Sequence, residues 1–245
     1  MTGKFYIIGV GPGDPELMTQ KAARLLKECR VICVPKGSKA GKSVALSIVK
    51  QVVSMENKEI LEIHFPMEKV KMDDKQSPML KKAWLAAAGT VIEKLAKGDD
   101  LAFPTLGDPT FYSTAFHLAG VLPEVLPAGS KDVSVVVVPG VTSVSASAAA
   151  AGMPLCLGDE RVAVLPATYE KERLLEALSS FDTVVLMKVH NVLDKIILML
   201  KNLGLLNTSI IIEKAGMSGE RVIKASNAHK EKLHYFSTMI VRKKL

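Results

Sequence analysis

The sequence predicts an α/β fold of two α/β domains, and in the first half the helices are expected to flank a sheet that is mostly parallel. Short apolar strands alternate with helical segments along the chain, as in successive βαβ units. The strands are rich in Val, Leu and Ile, and aromatic residues make up only 5% of the chain, which is typical of buried parallel strands. The length of 245 residues fits one large domain or two of about 120 residues each. The segment Leu122–Asp132, with two prolines and a glycine, predicts the joint, and hence domains at 1–125 and 126–245.

The elements of the first half follow from apolar runs and helical periodicity. The first strand is the apolar burst at 4–9, and the helix after it carries an apolar face of Ala22, Ala23, Leu25 and Leu26. A longer amphipathic helix is centred on Trp84. The predicted strands are 4–9, 31–34, 59–63 and 101–103, and the helices between them are 19–28, 43–53 and 78–97.

The second half repeats the alternation and ends in two strands that we expect to be antiparallel. Its first helix consists almost only of small residues and is ended by Gly152 and Pro154. The predicted strands are 133–138, 161–165, 183–187, 209–213, 221–224 and 238–241, and the helices are 142–151, 170–179 and 192–202.

Composition limits the function classes. The net charge is +7 and the sequence pI about 9.2, but the basic residues are scattered and follow no RNP or zinc-finger pattern. This favours an acidic small molecule over nucleic acid. Three cysteines without paired spacing predict reduced thiols and a cytoplasmic protein. The first apolar burst is too short for a signal peptide, and no uncharged apolar run approaches the 18 residues that a membrane span requires.

The segment Leu101–Thr114 (LAFPTLGDPTFYST) predicts a ligand-binding corner. A strand ends, Gly107 permits a tight turn, and Asp108 is placed to cap a helix that begins at Pro109. Such corners bind ligands in open α/β sheets. Because the carboxylate of Asp108 takes up the helix donors and adds negative charge, the corner suits hydroxyls or a cation better than phosphate. The alternative is a well-capped helix without a ligand.

Two further loops resemble nucleotide motifs without matching them. In GVGPGD at 9–14 the third glycine of a dinucleotide fingerprint is Asp14, and no acid ends the second strand. In the loop from Gly37 to Ser43 only three residues separate the glycines, whereas a Walker A motif has four. This loop is either a solvated segment or a basic loop that meets substrate carboxylates through Lys36, Lys39 and Lys42.

A third strand-to-helix loop, at 138–143, offers hydroxyls. Thr142 or Ser143 can cap the following helix or contact a ligand. The five histidines have no ligand spacing, so we expect no metal site.

Together the loops carry a family resemblance. VGPGDPELMT at 10–19, TLGDPTFYST at 105–114 and PGVTSVSASAAAAGMPL at 139–155 resemble the tetrapyrrole (corrin/porphyrin) methyltransferases, which are S-adenosylmethionine enzymes of cobalamin and sirohaem synthesis. LMKVHN at 186–191, EKAGMSGERV at 213–222 and MIVRKK at 239–244 fit later motifs in order. HFPM at 64–67 and the Trp84 helix are most similar to the branch that methylates carbon 20 of precorrin-2 or cobalt-factor II.

The resemblance implies a cofactor, a substrate and a site. It implies two α/β domains with S-adenosyl-L-methionine (product S-adenosyl-L-homocysteine) in the cleft between them, the first domain taking the polycarboxylate tetrapyrrole, and a homodimer. Carried over by motif, the cofactor contacts are Pro12, Leu106, Gly107, Asp108, Phe111, Thr142, Ser143, Met187 and Ala215.

Residues for the substrate are less well defined by the resemblance. Arg161 and the basic loop are candidates to hold the substrate carboxylates. Tyr112 is a candidate base, or else a core aromatic residue.

Three alternative functions remain open at this point. They are another corrinoid- or sirohaem-pathway methyltransferase of the same family, a P-loop or dinucleotide enzyme, and a basic nucleic-acid-binding module.

Overall fold

The computed structural model describes residues 3–36, 43–64, 78–127, 129, 132–229 and 231–243, without the side chains of Lys36 and His64. The chain divides into two compact units, Met1–Val141 and Thr142–Leu245. Residues 122–132, where the sequence predicted the joint, lie inside the first unit. The reason is that the strand following them pairs in parallel with the first strand of the chain, so it belongs to the first sheet.

The first unit is built on a five-stranded sheet whose strand pairs are all parallel. Its strands are β1 (Phe5–Gly9), β2 (Val31–Lys36), β3 (Glu59–His64), β4 (Leu101–Thr105) and β5 (Val135–Val138), in the order β3-β2-β4-β1-β5. Its helices are α1 (Gln20–Glu28), α2 (Val44–Val52), α3 (Pro78–Ala96) and α4 (Ala115–Val121).

Strand β1 shows why this sheet is covered on both faces. Side chains alternate between the two faces of a strand. Phe5 and Ile7 are fully buried in the core with α3 and α4. Tyr6 and Ile8 are buried in the core with α1 and α2. A strand that is apolar on both faces therefore gives a three-layer unit.

The second unit has a mixed sheet. Its strands are β6 (Val162–Pro166), β7 (Thr183–Met187), β8 (Ser209–Glu213), β9 (Arg221–Lys224) and β10 (Ser237–Arg242), in the order β6-β7-β10-β8-β9. Its helices are α5 (Ser143–Ala150), α6 (Lys171–Ser180) and α7 (Leu193–Asn202). Among the strands of this sheet that the structure describes, β6 and β7 form the parallel pair, and β9 and β10 pair antiparallel with their neighbours. The antiparallel prediction for the two late strands is confirmed.

Helix starts follow the local sequence. The hydroxyl of Thr19 accepts the N–H of Ala22 at 3.2 Å and so caps α1. Ser43 caps α2 in the same way, and Thr142 caps α5 by accepting the N–H of Ser145 at 3.0 Å. Each cap satisfies a backbone donor that would otherwise have no partner.

In the part of the chain that the structure describes, no helix is long and apolar enough to cross a bilayer. Within the same residues, no three His, Cys, Asp or Glu side chains are grouped so that they could hold a metal ion.

The three thiols are expected to differ sharply in reactivity. Burial raises the pKa of the Cys29 thiol to about 12 and that of Cys33 further still, whereas Cys156 is exposed. Because the thiolate is the reactive form, an aromatic disulfide reagent at pH 8 should modify one thiol per chain in the native protein. In guanidinium chloride it should modify all three. A second fast equivalent from the native protein would contradict the buried positions of Cys29 and Cys33.

Candidate functional site

Two loops at the carboxyl edge of the first sheet are joined by their backbones. The N–H of Gly11 donates to the carbonyl of Gly107 at 3.2 Å, and the N–H of Gly107 donates to the carbonyl of Gly11 at 2.7 Å. Both glycines have positive φ, +80° and +72°, which other residues adopt only with strain. The loops after β1 and β4 therefore form one rigid unit where ligands bind in open α/β sheets.

Two further glycines allow the loop after β5 to join this pair. A Cβ on Gly9 would lie 2.7 Å from both the carbonyl oxygen of Gly107 and the backbone nitrogen of Gly140. A Cβ on Gly140 would overlap the same Gly107 carbonyl. A role for Gly107 was predicted from the sequence, whereas the close approach at Gly9 and Gly140 was not. A signal was available in the position of each glycine. Gly9 is the last residue of an apolar strand, and Gly140 lies two residues after the end of another.

Asp108 connects the loop after β4 to the loop after β5. Its Oδ2 accepts the N–H of Gly140 at 2.8 Å. Its Oδ1 accepts the N–H of Thr110 at 2.8 Å and also the Thr110 hydroxyl. The residue is only 7% exposed. Burial alone raises the pKa of this carboxyl, but the hydrogen bonds from the Thr110 hydroxyl, Gly140 and the Thr110 backbone outweigh burial, so the pKa lies below its ordinary value.

The prediction that Asp108 caps a helix beginning at Pro109 is wrong. Residues 109–112 form a turn and α4 begins at Ala115. Tyr112 has a left-handed φ of +54°, which interrupts any helix. The hydroxyl of Ser113 then accepts the N–H of Ala115 at 3.2 Å, and it lies 3.1 Å from the hydroxyl of Thr105. Asp108 therefore holds two loops together instead of capping a helix.

The turn exposes aromatic side chains next to Asp108. Phe111 is 40% exposed and Tyr112 is 48% exposed, which contradicts the interpretation of Tyr112 as a core aromatic residue. Of the other predicted contacts in this unit, Pro12 is buried and Leu106 packs partly buried against the α1 and α2 core. The structure thus brings Pro12, Leu106, Gly107 and Asp108 to one corner of the first unit.

In the second unit the structure groups the remaining predicted contacts. Met187 ends β7 and Ala215 follows β8, and both strands end at the same edge because each is antiparallel to β10. Met187, Ala215 and the buried side chains of α5 belong to one apolar cluster. Thr142 and Ser143 lie at the start of that helix.

The residues that directly follow β7 and β8 at this edge share an unusual backbone conformation. Lys188 and Lys214 have left-handed φ values of +61° and +55°. The N–H of Lys188 donates to the carbonyl of Ser237 at 2.9 Å, and the N–H of Lys214 donates to the carbonyl of Phe236 at 2.7 Å. The residues after β7 and β8 are therefore fixed by two adjacent carbonyls.

Arg161 lies at the opposite edge of the second sheet. It precedes β6, which is parallel to β7 with Val162 opposite Thr183, so it is separated from Met187 by the length of a five-residue strand, about 16 Å. Its guanidinium donates to the carbonyl of Ser180 and lies 5.7 Å from the centre of the Phe181 ring. The guanidinium of Arg161 is therefore engaged at the end of the sheet away from Met187, and its assignment to substrate carboxylates stays a prediction.

The basic loop is largely beyond what the structure describes. Lys36 ends β2 at the carboxyl edge of the first sheet. Its side chain, and the residues 37–42 that include Lys39 and Lys42, lie outside the described residues. Their assignment to substrate carboxylates stays a prediction.

Comparison with known proteins assigns this fold to a class of methyl-transferring enzymes. The family profile "Tetrapyrrole (Corrin/Porphyrin) Methylases" matches residues 4–229. A solved structure of uroporphyrin-III C-methyltransferase from Thermus thermophilus, complexed with S-adenosyl homocysteine, superposes with a TM-score of 0.64 at 22% identity, over 98% of each chain.

Curated relatives are similar over most of their length. The cobalt-precorrin-2 C(20)-methyltransferase of Salmonella typhimurium LT2 is 34% identical over 99% of this chain and 98% of its own. A probable cobalt-precorrin-2 C(20)-methyltransferase of Methanocaldococcus jannaschii is 40% identical over 79% of this chain and 75% of its own. The chain belongs to the tetrapyrrole (corrin/porphyrin) methylases, and the resemblance in its loops and the predicted fold class are confirmed.

Proposed function

We propose that the chain is an S-adenosylmethionine-dependent methyltransferase that methylates carbon 20 of precorrin-2 or cobalt-factor II in cobalamin biosynthesis. The observation that carries this proposal is 34% identity over nearly the full length to a relative named for carbon 20. Both relatives described above carry cobalt in their substrate names, which favours the cobalt-loaded ring. We also propose that the enzyme is a homodimer, as the family resemblance implies, and that it acts in the cytoplasm, where unpaired cysteines stay reduced.

The residues of the described units fit this cofactor. Met187 and Ala215 offer apolar surface in one cluster with the small side chains of α5, which suits a flat adenine ring. In the first unit the backbones of the loops containing Gly11 and Gly107 are held at the carboxyl edge of the sheet, where a ligand can meet main-chain donors and acceptors.

We propose these two groups as the cofactor contacts. They are Pro12, Leu106, Gly107, Asp108 and Phe111 in the first unit, and Thr142, Ser143, Met187 and Ala215 in the second. Asp108 contributes by holding the loops, because both of its carboxylate oxygens already accept hydrogen bonds from Thr110 or Gly140.

The chemistry asks mainly for positioning from the protein. When bound, S-adenosylmethionine would supply an activated methyl group, carried on a positively charged sulfur, for transfer to an electron-rich ring carbon of the substrate. Loops that cannot shift hold the reacting partners in line, and such alignment can supply about 7–11 kcal/mol of the acceleration. Tyr112, half exposed beside the Asp108 corner, is the proposed acceptor of the proton that the methylated ring loses. Lys36, Lys39 and Lys42 are proposed to meet the substrate carboxylates.

A turnover assay tests the proposal. The purified chain is incubated with S-adenosylmethionine carrying a ¹³C-labelled methyl group and with either metal-free precorrin-2 or cobalt-factor II, and the product is examined by NMR. We expect one new methyl resonance, at carbon 20, with faster turnover of the cobalt-loaded ring. A methyl group at another carbon would assign the chain to a different reaction within the family.

Calorimetry separates the remaining classes. We expect S-adenosylhomocysteine to bind, and ATP and a short DNA duplex not to bind, at the same protein concentration. Binding of ATP or duplex without binding of S-adenosylhomocysteine would favour a nucleotide enzyme or a nucleic-acid-binding module and would overturn the proposal.

A further inference from the structure

The second unit contains a buried carboxylate, paired with a half-exposed arginine, that has no assigned role. Glu213, the last residue of β8, is 5% exposed. Its Oε2 accepts the Nε–H of Arg221 at 2.6 Å, and its Oε1 accepts the backbone N–H of His234 at 2.5 Å. A buried carboxylate with two donors is costly to bury and strongly directional, so it fixes the position of its partners.

The second partner, His234, begins the segment His234–Ser237 that leads into β10. The ring Nδ1 of His234 accepts the N–H of Phe236 at 3.2 Å, which sets the shape of the segment. Further along this segment, the carbonyl of Phe236 accepts the N–H of Lys214, and the carbonyl of Ser237 accepts the N–H of Lys188. One segment therefore fixes the backbone at the ends of both β7 and β8.

The two fixed lysines adjoin proposed cofactor contacts. Lys188 follows Met187, and Lys214 precedes Ala215. Each lysine has a positive φ, a conformation that costs about 1–3 kcal/mol for a residue other than glycine and persists only where the surroundings enforce it. The carbonyls of Phe236 and Ser237 supply that enforcement.

We infer that Glu213, together with Arg221, is a positioning residue for the cofactor: by holding His234 it sets the segment that aligns Met187 and Ala215. This role rests on the proposed function. The low pKa of the Glu213 carboxyl, which burial raises and the hydrogen bonds from Arg221 and His234 lower more strongly, agrees with a group that is charged whenever the enzyme works.

The same unit offers a matched control. Glu160 also pairs with an arginine, since its Oε2 accepts from Arg242 at 2.6 Å, and it also accepts a backbone N–H, that of Leu157, at 2.8 Å. Glu160 and Arg242 together hold the loop that follows α5, Glu160 through the N–H of Leu157 and Arg242 through the carbonyl of Pro154. Within the described residues, the hydrogen bonds of Glu160 involve neither the segment His234–Ser237 nor the two lysines.

The test compares Glu213→Gln with Glu160→Gln in the full chain. Binding of S-adenosylhomocysteine is measured by calorimetry, and amide hydrogen exchange is measured without ligand. For Glu213→Gln we expect about a tenfold higher Kd, equivalent to about 1.4 kcal/mol, and faster exchange at the amides of Lys188 and Lys214. For Glu160→Gln we expect a Kd within about twofold of the wild type, with faster exchange at Leu157 only.

Arg221→Gln changes a half-exposed side chain and should also raise the Kd. If Glu213→Gln does not fold, the Kd of Arg221→Gln tests the positioning role in its place.

The outcomes separate this role from the proposed function. Equal weakening of binding by Glu213→Gln and Glu160→Gln would show general destabilisation of the unit and overturn the positioning role. An unchanged Kd in Glu213→Gln would overturn it as well. Failure of the wild-type chain to bind S-adenosylhomocysteine would instead contradict the proposed function, and the positioning role with it.

Discussion

Gly140→Ala is expected to lower the midpoint of thermal unfolding by about 10 °C, because it destabilises the first unit by about 3 kcal/mol. The added Cβ would overlap the carbonyl oxygen of Gly107 and lie 2.9 Å from the carbonyl carbon of Gly9. Both neighbours are backbone atoms of loops that are tied to other loops, so neither can move cheaply. Activity in the turnover assay should also fall, because the added Cβ displaces the loops that form the corner.

The matched control is Gly120→Ala. Gly120 lies on the exposed side of α4, and a Cβ there would meet no atom within 4 Å. Alanine is the better helix former, so this variant should be unchanged or more stable by about 0.5–1 kcal/mol. Differential scanning fluorimetry of both variants decides the matter. A midpoint for Gly140→Ala within about 1 °C of the wild type would show that the loops do not approach one another this closely.

Asp108→Asn is expected to destabilise the protein by about 2–3 kcal/mol at pH 7, since hydrogen bonds to a buried charged group have about this value. An asparagine amide retains one acceptor oxygen, so its NH₂ must face either the N–H of Gly140 or the Thr110 donors. Urea unfolding measures the loss. Asp100→Asn is the control, because Asp100 also accepts a backbone N–H, that of Lys4 at 2.7 Å, but at an exposed position. That variant should lose less than about 1 kcal/mol.

The effect of Asp108→Asn should also depend on pH in a defined direction. The folded-state pKa of Asp108 lies below the ordinary value of 3.8. Its contribution to stability is therefore complete above pH 3.8 and is lost as the pH falls through the lower, folded-state pKa. The difference in unfolding free energy between the wild type and Asp108→Asn should shrink in strong acid. A difference that stays constant across this range would mean that the charge of Asp108 is not what stabilises the loops.

Local pattern predicted the parts of this molecule that local interactions determine. Continuous apolar runs placed β1 and β4. The predicted helix starts at Thr19, Ser43 and Thr142 coincide with residues whose hydroxyls cap the helices. The loops that carry the family motifs were also found, because each is a short contiguous segment with glycine at the turn.

Long-range contacts decided the rest. Asp108 looked like a helix cap because Gly-Asp-Pro is typical of one, but its second partner, Gly140, lies 32 residues further along the chain. Arg161 looked free to bind carboxylates, whereas its position before β6 places it beside Asp182 and Ser180. The predicted joint at 122–132 differs from the observed division for the same reason. The pairing of β5 with β1 keeps this segment in the first unit, and that pairing has no signature in residues 122–132 themselves.

The position of β10 between β7 and β8 has a consequence for biosynthesis. During synthesis β7 and β8 emerge from the ribosome before the strand that must lie between them. β7 can pair with β6, and β8 with β9, but the other side of each strand lacks its partner until residues 237–242 have been made. The sheet of the second unit can therefore be completed only after its central strand, β10, has been made. All five strands of the first sheet precede residue 139. Synthesis therefore supplies every strand of the first sheet before it supplies the central strand of the second.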